Sequence, residues 1–185
     1  MPSSPFRLPW FVGAPAVSAG IAAVAIAVQS LVGPYFERIY LNEADPLTSV
    51  ATTSVTDPAG TVRPEVVVAA AATLAQGSLR DGEPGHNGRG TAKIIRDASG
   101  ALTLRFENFS VTNGPDIYVI LATGEEPSRT AASGGLNLGK VRATDGNVNY
   151  QLPAGTDPSV YRHVIIWCKT YDVVFASARL EKSTS

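Results

Sequence analysis

The chain has 185 residues, a formal net charge of −1, one cysteine and two histidines. A near-neutral balance excludes nucleic acid as a partner, because phosphate binding needs a basic surface. A single cysteine excludes an internal disulfide, and no CxxC, HxxxH or HExxH spacing offers a metal site, so the fold must rest on its apolar core.

Residues 10–32 are apolar apart from Ser18, Gln29 and Ser30, and no charge falls between Arg7 and Glu37. A bilayer takes about 20 such residues. The expectation is a single transmembrane helix within residues 1–36. Arg7 and the free amine keep its start inside the cell, leaving the C-terminal part extracytoplasmic on the cell membrane. A cleavable signal segment with Ala25-Ile-Ala27 as its site is the second reading, and a buried core helix the third. The first two agree that the C-terminal part is exported.

Residues 37–73 carry recurrent turn formers, such as Asp57-Pro-Ala-Gly60, and no sustained period, which predicts a stalk or linker. The stretch 65–76 is ambiguous, since its alanines favour helix and Val66 to Val68 favour strand. From residue 74 to 181 short apolar runs are cut by Gly, Pro, Asn and Asp every 8–12 residues or so, the rhythm of an all-β sandwich or barrel. That predicts about 8–10 short antiparallel strands, with residues 182–185 as a tail.

Residues 75–79 open the series as a strand. Residues 80–90 form a loop with glycines at 82, 85, 88 and 90 and with His86. Residues 91–96 are a strand and 97–100 a hairpin turn. Residues 101–108 alternate, with Leu102, Leu104 and Phe106 facing in and Thr103, Arg105 and Glu107 facing water. After the Gly114-Pro115 corner, residues 117–122 are apolar on both faces, as in a central strand. Residues 123–137 form a polar loop long enough to be functional. Strands at 138–141 and 148–152 come next. Residues 161–180 then close the domain as two strands joined by a short turn. They hold Cys168, His163 and Trp167.

Six blocks in order now carry a resemblance: the Gly-rich loop with His86, Asn108-Phe109, Asn113-Gly-Pro-Asp-Ile-Tyr-Val-Ile-Leu121, Leu138-Gly-Lys140, Asn147-Val-Asn-Tyr-Gln-Leu-Pro153, and Val164-Ile-Ile-Trp-Cys168 with Val174-Phe-Ala-Ser-Ala-Arg-Leu180. Together they resemble the DM13 domain family over residues 74–181, and the apolar N-terminus resembles that of its membrane-tethered bacterial forms. The resemblance implies a β-rich extracellular module with a redox or electron-transfer role. It also implies that Cys168 is the redox-active cysteine. The redox partner is not identified, and no cofactor is specified.

Read from the residues, Cys168 shares a strand face with Val164 and Ile166 by period two, while His163 and Trp167 take the other. A buried cysteine often acts only as a small hydrophobe. A reactive one needs partial exposure and a nearby cation or donor. His86 is either a turn-stabilising residue or a helper brought to Cys168 by its loop, as a base or as a second ligand for a metal or haem. Asp116 either bonds its own turn or serves as a ligand or proton relay. The reading that competes with electron transfer is an extracellular module that binds a ligand or protein through its loops, with Cys168 as core. No motif of a hydrolase is present.

Overall fold

The computed structural model describes residues 37–48, 52–56, 62–66 and 71–183. The expected transmembrane helix and the Ala25-Ile-Ala27 site lie outside them. Among the described residues no helix is long and apolar enough to cross a membrane.

The strands in chain order are β1 (Tyr40–Asn42), β2 (Thr52–Thr56), β3 (Val62–Val66), β4 (Ala72–Asp81), β5 (Gly88–Arg96), β6 (Leu102–Val111) and β7 (Ile117–Ala122). After the short helix α1 (Arg129–Ser133) come β8 (Leu136–Lys140), β9 (Asp145–Gln151), β10 (His163–Cys168), β11 (Val173–Arg179) and β12 (Glu181–Lys182). The fold is all-β, as the punctuation of the sequence predicts. The expected sandwich or barrel takes the form of one continuous ten-stranded sheet curled into a half-barrel, ordered β1-β9-β6-β5-β4-β11-β10-β7-β8, with β12 also on β4. β2 and β3 make a separate antiparallel pair.

The sheet curls on itself because of β4. Its run from Ala72 to Ser78 pairs with β5, while Leu79, Arg80 and Asp81 pair with β11. One strand therefore serves two halves of the sheet, and the right-handed twist accumulated along ten strands brings their inner faces together. Alternate residues fill the space between: Ala75 and Leu79 of β4, Ala92 and Ile94 of β5, Leu104 and Phe106 of β6, Val119 and Leu121 of β7, Val164 and Ile166 of β10. A smaller cluster of Ile120, Ile165, Trp167 and Val174 lies on the other face and packs with Ala132 of α1. This is the doubly apolar pattern read in residues 117–122.

Two expectations change at this level. Thr103 and Arg105, expected to face water, are buried at 1% and 5% exposure. Their face is covered by residues 37–48, which fall in the stretch read as a stalk. There β1 adds to the sheet edge in parallel with β9, Tyr40 opposite Asp145. Arg105 donates to the carbonyls of Glu43 and Ala44 and to Asn149 Oδ1, and it meets Glu107 at 3.0 Å, so its buried charge is satisfied. The long polar loop is also partly ordered: Ser128 caps α1 by accepting the Ala131 N–H at 3.0 Å.

Candidate functional site

The site is the end of the curled sheet where β10 stops. Cys168 is the last residue of β10, opposite Ile117 of β7 and Val173 of β11. Its side chain belongs to the main core, as the alternation with Val164 and Ile166 predicts, and none of it is exposed. Among the described residues Sγ has no hydrogen-bond partner. The strand ends one residue later, and the Lys169 N–H donates to the Asp116 carbonyl at 3.0 Å. Lys169 itself is exposed.

His86 arrives from the glycine-rich loop, between β4 and β5. That loop is docked on β11, not loose over it. The Gly82 and Glu83 N–H groups donate to the carbonyls of Phe175 and Val174 at 3.0 and 2.8 Å, and a Glu83 carboxylate oxygen accepts the Val174 N–H. The ladder between β10 and β11 slips by one residue here, so that Ile166 faces Ala176 while Trp167 faces Val174. Phe175 is the extra residue of this bulge, and its ring joins the main core. The His86 ring stacks on it at 4.0 Å and 10°.

One of the two readings of His86 in the sequence brings it beside Cys168. In the structure its ring partner is Phe175, and among the described residues no hydrogen bond joins it to the sulfur. His86 Nδ1 is buried and without a hydrogen-bond partner. Such a group calls for a hydrogen-bond partner. Glu83 is held below the usual carboxylate range, first by its hydrogen bond with Arg129 and then by the Val174 N–H. The Glu83–Arg129 ion pair also ties the loop to α1.

Asp116 sits at the rim of this end. It does not bond its own turn, the commoner role for such a residue. Its carboxylate accepts from Thr170 Oγ1 at 3.0 Å and pairs with Lys140 Nζ at 3.1 Å, joining the Gly-Pro corner to the β10–β11 turn and to β8. Lys140 first, then Thr170, hold its pKa below the ordinary value. It is thus a charged clamp, with little freedom to relay protons near neutral pH. His163 is buried on the opposite face, with Nδ1 at 3.0 Å from the Gly124 carbonyl, and Trp167 donates to Asp172 at 3.0 Å.

Sequence reasoning missed Phe175 and Glu83. Phe175 stood within a quoted block, but a bulge breaks period two and hides which face a residue takes. Glu83 was legible only as one acid in a glycine-rich loop. Among the described residues no cluster of three or more His, Cys, Asp or Glu side chains is arranged to hold a metal.

A family model described as electron transfer DM13 matches residues 79–180, more than half of the chain, from the end of β4 to the residue after β11. No curated protein and no solved structure matches the chain.

Proposed function

Because the chain belongs to the electron transfer DM13 family, we propose that it is an electron-transfer module in which Cys168 is the group oxidised and reduced, carried on the outer side of a membrane by residues 10–32. The observation that carries the reading is the family match, which spans the docked His86 loop, the Asp116 corner and the hairpin that ends in Cys168. The lone sulfur lies one residue from the exposed Lys169, at the end of the sheet occupied by the His86–Phe175 stack. Burial protects a thiol from adventitious oxidation and from disulfide exchange, since both need access to the thiolate. On this reading exchange with a redox partner is gated. The loop of residues 82–87, with its unsatisfied His86 Nδ1, is the element that yields when the partner docks.

A second reading has its own observation. Complete burial of Cys168 without a polar partner is also what a small core hydrophobe shows, in a module that binds a ligand or protein through its loops.

Two measurements separate the readings. Redox titration of the full chain should give a reversible transition that disappears in Cys168→Ala, a variant that leaves no unsatisfied hydroxyl in the core. Identical titrations of the two proteins would leave Cys168 as core and favour the binding module. Protease added to intact cells should remove the domain if residues 10–32 anchor it outside, and complete protection would refute that placement.

A further inference from the structure

The outer face of β4 and its neighbours carries a trough of about 550 Å³. The core fixes which residues line it. Ala75 and Leu79 of β4, Ala92 of β5, and Ala178 with Leu180 point inward. By alternation Ser78, Arg80, Thr91, Lys93 and Arg179 point out, and all five line the trough. Ser78 pairs with Thr91 on β5. On the other side of β4, Ala178 faces Leu79 and Glu181 faces Gln76. Three residues on each strand separate those pairs, which sets Arg179 level with Ser78. The short side chains of Ser78 and Thr91 are thus the floor. Arg179 stands one strand away, Arg80 two residues along β4 and Lys93 two residues along β5. Adjacent strands lie about 4.7–4.9 Å apart and two residues cover about 7 Å, so three long cationic side chains surround two hydroxyls.

The cations are unequally engaged. Lys93 meets Glu107 at 2.6 Å, and Arg105 shares that carboxylate at 3.0 Å. The Arg80 and Arg179 guanidiniums have no hydrogen bond or ion pair among the described residues, and Glu181, the other carboxylate of the lining, pairs with neither. Among the same residues the Ser78 and Thr91 hydroxyls are also without partners. Like charges on neighbouring strands repel, so an anion placed between the two arginines relieves a cost that the free protein bears. Every residue of the lining is polar or glycine, which suits a hydrophilic ligand and not an apolar one. Arginine's planar fork matches carboxylate and phosphate alike. A planar carboxylate is satisfied by one fork, which leaves the second arginine idle. A tetrahedral phosphate offers oxygens in several directions and can take both forks and the hydroxyls beneath it. The trough is larger than one such group, so there is room for the polar body that carries it.

We propose that this trough binds the phosphate group of a small hydrophilic phosphate monoester, with Arg80 and Arg179 as its charge partners and Ser78 and Thr91 as hydroxyl donors beneath it. The proposal is independent of the redox reading, since Cys168 belongs to the core and the trough lies on the outer face. Isothermal titration of the full chain in dodecyl maltoside, a detergent without phosphate, tests it with glycerol 3-phosphate, glycerate, glycerol and inorganic phosphate. Glycerol 3-phosphate should bind saturably at one site, glycerate at least tenfold more weakly, and glycerol not at all. Inorganic phosphate should compete for the same site with lower affinity than the ester. Arg80→Gln and Arg179→Gln should each lower glycerol 3-phosphate affinity at least tenfold with an unaltered melting temperature, because both side chains are exposed. Glu181→Gln should raise the affinity, since it removes a negative charge from the lining. Cys168→Ala should bind as the wild type does. No saturable binding, equal binding of glycerate, or wild-type affinity in either arginine variant would overturn the proposal. So would inorganic phosphate binding more tightly than the ester, because the trough would then hold the free anion.

Discussion

Gly114 joins the two halves of the site. A Cβ there would lie 2.7 and 2.8 Å from Cε2 and Cζ of Phe175 and 3.1 Å from Cγ2 of Ile117. The Phe175 ring is stacked by His86, so it cannot move without disturbing that contact. Overpacking of this kind costs about 1–3 kcal/mol. Gly114→Ala is therefore expected to lower the melting temperature and to speed labelling of the Cys168 thiol in the native protein, because Phe175 and Ile117 share its core. Unchanged stability together with unchanged labelling would show that the corner has room. The scarcity of cysteine and the period-two alternation with Val164 and Ile166 made Cys168 and its facing legible in the sequence. The His86–Phe175 stack was not, because Phe175 takes its place through a bulge and His86 through a loop, and neither obeys a period.

The segment from Glu37 to Thr48 behaves as a strap held by charge. Arg38 forms an ion pair with Asp145, with Nε at 2.7 Å from Oδ2. Glu43 meets Arg142 at 2.8 Å. The Arg38 hydrogen bond holds Asp145 below its ordinary value of 3.8 despite burial. For Glu43, burial acts to raise the pKa, and Arg142 with the Asn149 N–H overcomes it, leaving the net below 4.5. A carboxylate whose pKa is depressed by folding stabilises the native state above its unfolded pKa. That contribution is lost as pH falls through the folded pKa. The strap should thus stay docked at neutral pH and loosen below about pH 4. Hydrogen-exchange protection at the Glu43 and Thr144 amides, which donate to Asn147 and Ile39, reads this directly. Protection that never falls with acid, at any pH where the sheet itself stays folded, would mean that backbone pairing alone holds the strap. Local patterns such as Leu102-Thr-Leu-Arg-Phe106 revealed their strands in the sequence. The strap did not, because a parallel pairing across about a hundred residues leaves no periodic trace, and so Arg105 was read as facing water.

At the scale of the molecule, β4 is the seam. It alone carries the ladder from the β9-β6-β5 side to the β11-β10-β7-β8 side. The family match begins at Leu79, inside that strand, and ends at Leu180, before β12. A fragment cut to residues 79–180 would keep the β11 pairing of β4 but lose the run from Ala72 to Ser78 that pairs with β5. It would also lose β1 and β12. Each ladder hydrogen bond is worth about 0.5–1.5 kcal/mol net, and the whole margin of a domain is about 5–15 kcal/mol. Removing a run of such bonds, with Ala75 from the core, consumes that margin and leaves the edge of β5 unpaired beside an opened core. The expected outcome is that residues 37–183 melt in one cooperative transition by circular dichroism, while residues 79–180 show none and aggregate. A cooperative melt of the shorter fragment at a similar temperature would show that the two halves of the sheet are held by their shared core, with β4 dispensable as the hinge between them.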